Sequence, residues 1–244
     1  MADNTILIIG ASSGIASSLI KEFVDKQTIK SVIAISRKKP PTPIQDVDQK
    51  IEWLLSDNSE SSILKIVDMM LARNTVLDQV IICNGVLHDT QFLPEKRVED
   101  IKLQSLQAVM HINAFIPMLW VKNLKPLLRR SAKCTITAFS ARVGSIEDNG
   151  KGGWYAYRAS KAALNMFMKT ASIELRREPS KISFLLFHPG TTDTDLSKPF
   201  QKRIAKQSVF EPSFVAKRLL KILEDHNHDE EIQFKDWKGE AIAW

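Results

Sequence analysis

Cysteine, tyrosine and long apolar runs are scarce in this chain, and each scarcity excludes something. The only two cysteines among 244 residues, Cys83 and Cys134, sit in apolar, strand-like runs. They read as buried thiols in a reducing compartment, which argues against a disulfide framework or a metal site. No apolar run approaches the ~18 residues that a bilayer-spanning helix needs. Met1-Ala2-Asp3-Asn4 lacks the basic start and apolar core of a secretory signal. The expectation is a cytoplasmic protein with no membrane partner. Clustered charge is lacking too. The formal net charge is +6, but Arg37-Lys38-Lys39, Arg129-Arg130, Arg176-Arg177 and Lys202-Arg203 are scattered, with acidic residues among them and no interleaved aromatics. That pattern argues against nucleic acid and for small anionic ligands. Apolar and charged fractions of 44% and 25% are those of an ordinary globular protein.

What is present is an alternation of strands and helices. Thr5–Ile9 is apolar without alternation, as expected of a parallel strand buried on both faces. It runs into Gly10-Ala11-Ser12-Ser13-Gly14-Ile15-Ala16, followed by apolar residues at helical spacing. A strand, a glycine-bearing turn and a helix start make a phosphate cradle: glycines permit close approach, and free N–H groups with the helix dipole attract an anion. A plain strand-to-helix turn has the same parts. Further strands are expected at Ser31–Ile35, Ile51–Leu55, Gln79–Cys83, Cys134–Phe139, Ser183–Phe187 and Glu231–Phe234. The alternation implies an α/β, Rossmann-type doubly wound, mostly parallel seven-stranded sheet with helices on both faces. In such a sheet the residues after the second strand face the adenosine ribose, where a carboxylate selects a 2′-hydroxyl and an arginine a 2′-phosphate. Ser36 and Arg37 stand there with no carboxylate, which favours NADP(H) over NAD(H). Asp57 follows the third strand, to cap the next helix or meet an adenine. Asn84-Gly85 follows the fourth strand in the ligand region. Pro40-Pro41-Thr42-Pro43 reads as a rigid exposed connection, Leu196 to Ser208 as a polar helix or lid, and His226-Asn227-His228-Asp229 as a solvated loop with no metal.

Both tyrosines lie in Gly152-Gly153-Trp154-Tyr155-Ala156-Tyr157-Arg158-Ala159-Ser160-Lys161, which reads as a helix from Tyr155 onward. A four-residue offset places Tyr157 and Lys161 on one face. A cation beside a phenol favours the phenolate, drawing its pKa down from ~10. The pair is a candidate acid/base unit; Tyr155 has only Ala159 at the same offset. Asn113, an amide among apolar helix residues, needs a reason: a buried structural hydrogen bond or a place in the active site.

With these residues placed, the chain from Thr5 nearly to its end resembles the short-chain dehydrogenase/reductase family. The cofactor turn, Asn84-Gly85, Asn113, Tyr157-x-x-x-Lys161 and Pro189-Gly190 with Thr194 occur in the family's order. The run from Ser140 to Asn165 further resembles the C-factor-like and sniffer-like carbonyl reductase branch. The resemblance implies a single domain over residues 1–244, with a substrate loop at about 191–210, that moves hydride between nicotinamide and a carbonyl or secondary alcohol. Tyr157 would be the proton donor, Lys161 would depress its pKa and hold the nicotinamide ribose, and the Asn113 backbone would hold a relay water. Gly10, Ser12, Ser13, Gly14, Ile15, Ser36, Arg37, Asp57, Asn84, Gly85, Lys161, Pro189, Gly190, Thr192 and Thr194 would bind the cofactor. The partners implied are a small carbonyl or alcohol and further copies in a homodimer or homotetramer. The sequence departs from the pattern at Ala16, where a third glycine is usual, at Ile9, where threonine is common, and at the carbonyl-polarising serine. Aligning Arg142-Val143-Gly144 puts that slot on Ala141, one residue after Ser140, and a one-residue shift reverses the face of a strand. Ser140 in a kinked strand end, Ser145 from the loop, or no serine at all are the alternatives. A non-catalytic dinucleotide-binding signalling or redox-sensing protein is the alternative function.

Overall fold

Strands β1 (Asn4–Ile9), β2 (Ile29–Ser36), β3 (Ile51–Leu55), β4 (Gln79–Ile82), β5 (Lys133–Phe139), β6 (Lys181–His188) and a late strand (Gln233–Asp236, β9 below) form one seven-stranded sheet. The order is β3-β2-β1-β4-β5-β6-β9, and every neighbouring pair is parallel. The computed structural model describes residues 4–40, 49–179, 181–203, 205–230 and 232–244. Of the connection expected at Pro40-Pro41-Thr42-Pro43, all but Pro40 lies outside them.

The unbroken apolar runs follow from burial on both faces. On β1, Leu7 and Ile9 enter the core shared with helices α2 (Glu60–Ala72), α4 (Ile116–Leu128) and α5 (Tyr155–Leu175). Ile6 and Ile8 enter the core under α1 (Gly14–Val24) and α6 (Pro212–Glu224). Each of these β1 side chains therefore meets a helix layer whichever way it points. The chain lays down β1, β2 and β3 outward on one side, then returns to β4 on the other side of β1. That reversal opens a crevice beyond the carboxyl ends of β1 and β4, where ligands of such sheets bind.

Several boundaries differ from the sequence reading. β4 ends at Ile82, leaving Cys83 in the loop, and the last strand runs Gln233–Asp236, because Phe234 and Asp236 turn inward beside β6. The region before β5 is one nearly continuous rod: α3 (Leu103–Met110), a π turn at His111–Phe115, then α4. The sequence suggests helices at about residues 98–110 and 112–130, the second bent or interrupted at Pro117 and Pro126. The irregularity is instead the π turn around Asn113, with Pro117 in the first turn of α4 and Pro126 inside it. Residues 196–208 form two short 3₁₀ segments, Lys198–Arg203 and Lys206–Ser208, beside the two-residue strands β7 (Thr191–Thr192) and β8 (Val209–Phe210). The loop expected to be solvated at His226–Asp229 is partly buried. His226 Nε2 and His228 Nδ1 each lie 3.0 Å from Ser183 Oγ, and burial holds both imidazoles below the usual histidine range. No described helix is long and apolar enough to cross a membrane.

One core contact reaches the crevice directly. Trp120 on α4 is fully buried, and its Nε1 donates to Asn58 Oδ1 at 3.0 Å, holding Asn58 in a left-handed turn (φ 65°) between β3 and α2. Trp120→Phe is expected to lower unfolding free energy by about 1–3 kcal/mol, because the buried amide oxygen loses its donor. Urea denaturation of both proteins checks this.

Candidate active site

A cavity of about 720 Å³ runs along the carboxyl ends of the sheet strands. At one end Gly10 adopts φ 80°, and a Cβ there would sit 3.1 Å from Cys83 C and Asn84 N, so only glycine lets β1 turn this close to the β4 end. Ser13 caps α1 by accepting from Ala16 N (3.3 Å), so its hydroxyl serves the helix first. The first-turn N–H groups of α1 and its dipole open into the cavity beside Ser12, Gly14 and Ile15, which suits an anion. Ser36 and exposed Arg37 line the far side. Their turn is fixed by Lys38 N donating to Ser36 Oγ (3.1 Å) and Trp53 Nε1 to the Lys38 carbonyl (2.9 Å). Asp57 also lines the cavity but does not cap α2. Ser59 caps it, accepting from Ser62 N, while Asp57 Oδ1 accepts from Ser59 N (2.8 Å). Asn84, Gly85, Pro189, Gly190, Thr192 and Thr194 complete this part. Asn84 Oδ1 is buried there with no protein partner.

At the other end α5 presents Tyr157 and Lys161 to the same cavity, both nearly inaccessible otherwise. Lys161 Nζ lies 5.9 Å from the Tyr157 ring centroid and donates to the Phe139 carbonyl at 2.7 Å. The electrostatics differ from the sequence expectation. Burial pushes the phenol up to about 12 and the ammonium down to about 8. Desolvation penalises both charged forms and is the main cause of both shifts. Tyr157 is therefore a protonated phenol at neutral pH, poised to donate. The approach of α5 depends on Gly144, where a Cβ would lie 2.7 Å from Lys161 Cβ.

Asn113 is wholly buried behind the cavity and does not line it. Its Oδ1 accepts from Val86 N (2.7 Å), and its Nδ2 donates to the Val86 carbonyl and to Ser160 Oγ (2.9 Å each). The side chain thus ties the Gly85 loop to α5. Four residues on stands Pro117, which has no N–H, so the Asn113 carbonyl lacks its α-helical donor.

The candidate serines fall differently. Ser145 is corrected outright: its Oγ donates to the Trp244 carbonyl (3.2 Å), accepts from Asp148 N, and lies outside the cavity. Ser140 borders the cavity, but its Oγ donates to Asn165 Oδ1 at 2.6 Å. The next residue, Ala141, is extended (φ −150°) and packs with Leu87 and Tyr157. The slot facing the phenol thus holds a methyl group.

Three residues, His188, Arg158 and Glu95, escaped the sequence reading, while Trp154 ends a loop, residues 146–154, expected to line the pocket. His188 lines the cavity beside Arg142 and Asp236, its Nδ1 buried without a partner and its pKa pushed down to about 4 by burial. Trp154, in a left-handed conformation (φ 54°) at the α5 N-terminus, packs on Tyr157 and Phe200, with ring centroids 6.1 and 5.3 Å apart. Arg158 donates to the carbonyls of Gly152 and Gly153. Glu95, a buried carboxylate 61 residues from its contact, accepts through Oε2 from Ala156 N (3.1 Å), while its carbonyl accepts from Trp154 N (2.5 Å). A lone Glu before an Arg/Lys pair carries no sequence signal for that distant cap.

Residues 4–205 match the family model described as short chain dehydrogenase. The Rhodococcus protein 1-hydroxy-2-glutathionyl-2-methyl-3-butene dehydrogenase is 29% identical over 99% of this chain and 100% of its own length. The C-signal of Myxococcus xanthus is 32% identical over 59% of this chain and 82% of its own length. Among solved structures, NADPH-bound carbonyl reductase from chicken fatty liver superposes with a TM-score of 0.86, at 21% identity over 99% of this chain and 94% of that one.

Glu95→Ala is expected to cost about 1–2 kcal/mol of stability through loss of a helix N-terminal acceptor. Glu95→Gln, whose amide oxygen accepts the same bond, is expected to restore most of it. Urea midpoints of the two variants decide this.

Proposed function

Because this chain belongs to the short chain dehydrogenase family, we propose that it is an NADP(H)-dependent reductase of small carbonyl compounds, run in reverse as an alcohol dehydrogenase. One observation carries the reading: a helix-terminal anion cradle and a buried Tyr157–Lys161 pair open into the same cavity. The cradle suits a pyrophosphate, and the unpartnered Asn84 Oδ1 has room for a ligand donor. Arg37, at the tip of a fixed turn with no carboxylate beside it, suits a 2′-phosphate. The NADPH carried by the chicken reductase agrees with this preference.

When bound, a reduced nicotinamide supplies the hydride. Tyr157 donates its Oη proton to the carbonyl oxygen as charge develops there. The Lys161 ammonium stabilises the phenolate left behind, and its remaining donors suit a ribose hydroxyl. The Asn113 carbonyl, without its α-helical donor, suits a water that returns a proton. Backbone at Thr192 and Thr194 suits a carboxamide. The C-signal relative and the methyl group at position 141 favour a second reading, a dinucleotide-binding protein without turnover. NADPH binding with no oxidation across aldehydes, ketones and diketones would establish that reading instead.

Tyr157→Phe is expected to lower kcat about 10²–10⁴-fold with NADPH affinity nearly unchanged; a fully active variant would refute the role. Because the Lys161 cation is present below its pKa of about 8 and lost above it, kcat/KM for reduction is expected to fall as pH rises through that region. A pH profile flat to pH 10 would contradict this. Arg37→Ala is expected to weaken NADPH about 10–100-fold, by loss of a charge-assisted contact, and to leave NADH unchanged. Equal losses would remove the 2′-phosphate assignment.

A further inference from the structure

We propose that Ala141 is the specificity-determining residue of this site, confining it to carbonyls activated by an electron-withdrawing neighbour and flanked by apolar groups, with vicinal dicarbonyls as the substrate class. The inference rests on the reductase reading and deepens it.

The geometry at the end of β5 leaves little freedom. Ser140 N donates to the Phe187 carbonyl, which continues the ladder with β6, and Ser140 Oγ is engaged with Asn165 on α5. The following residue is extended, so Ala141 faces the opposite way, towards Tyr157. Gly144 then packs against the backbone of Lys161 so closely that the turn cannot slide to bring Ser140 round. The apolar part of the wall around the phenol is Leu87, Ala141, Val143, Trp154, Leu196 and Phe200. Ser140, Ser197, Lys161 and His188 line the same cavity, but Ser140 Oγ donates to Asn165, Ser197 Oγ to the Thr192 carbonyl and Lys161 Nζ to the Phe139 carbonyl.

In reduction the hydride bonds to the carbonyl carbon, the π pair moves to oxygen, and the Tyr157 proton completes the hydroxyl. Negative charge on that oxygen before proton transfer must be stabilised. Removing one donor from such a site costs about 10²–10³ in kcat. With no donor at position 141, the substrate itself must lower the barrier. An adjacent carbonyl does so by withdrawing electrons from the reacting one, and it is left unreduced by the step. The apolar wall accepts alkyl or aryl arms and offers nothing to charged ones.

The test compares 1-phenyl-1,2-propanedione with propiophenone, the same skeleton without the second carbonyl, using the full chain and NADPH. Wild type is expected to favour the dione by at least about 10²-fold in kcat/KM, the loss associated with one missing donor. Ala141→Ser, nearly isosteric, is expected to raise propiophenone turnover at least tenfold and to change the dione far less, narrowing the ratio. NADPH affinity and melting temperature of the variant report that it is folded. Equal kcat/KM for the two compounds in wild type would overturn the inference alone. So would a folded Ala141→Ser protein with no gain on propiophenone, or a Ser140→Ala loss as large as that of Tyr157→Phe. Reduction of neither compound, with NADPH bound, would refute the reductase reading and this inference together.

Discussion

The Lys161 ammonium is buried and, among the described residues, has a single partner within hydrogen-bond distance, the Phe139 carbonyl at the end of β5. Removing a charge from water is costly unless it is paired or its pKa shifts, and burial draws this one down to about 8. Much of the surrounding structure serves to hold it there. Gly144 lets the β5 turn press on the α5 backbone, Asn113 ties α5 and the Gly85 loop together, and Glu95 fixes the first turn of the helix. The unsatisfied ammonium donors point the arrangement towards a ligand. With the anion cradle at the far end of the same cavity, a structurally expensive lysine fits the role proposed for it beside Tyr157.

Much of this was legible in the sequence because it rests on local rules. Unbroken apolar runs announce strands buried on both faces, a glycine turn after the first strand announces the cradle, and a four-residue offset puts Tyr157 beside Lys161. The residues assigned to the cofactor line one cavity because, Lys161 on α5 apart, they lie at or just beyond strand ends. What could not be read was set by distance or by competition. Glu95 reaches Ala156 across 61 residues. The sign of the Tyr157 shift depended on whether burial or the neighbouring cation prevailed, and only the packing of α5 decides that. His226 and His228 looked solvated because their hydrogen-bond partner, Ser183, is 43 and 45 residues away.

The serine question shows how a sequence can pose a problem that only geometry answers. Ser140, Ala141 and Ser145 lie within a few residues of one another in the chain, yet strand alternation and one short hydrogen bond to Asn165 sort them. Under the proposed function, a methyl group at position 141 leaves Tyr157 as proton donor and Lys161 as cation in place. What the proposal assigns to that methyl is weaker stabilisation of the oxygen that receives the proton, and with it a narrower range of carbonyls.

Isotope transfer tests the central claim most directly. NADPH deuterated at nicotinamide C4, on the transferred face, is incubated with the protein and a vicinal diketone, and the product is examined by NMR. Deuterium at the new carbinol carbon is expected with wild type, and incorporation about 10²–10⁴-fold slower with a folded Tyr157→Phe protein that still binds NADPH. Bound NADPH that delivers no deuterium to any carbonyl offered, or equal transfer by both proteins, would contradict the assignment of Tyr157 and Lys161 as the reacting pair.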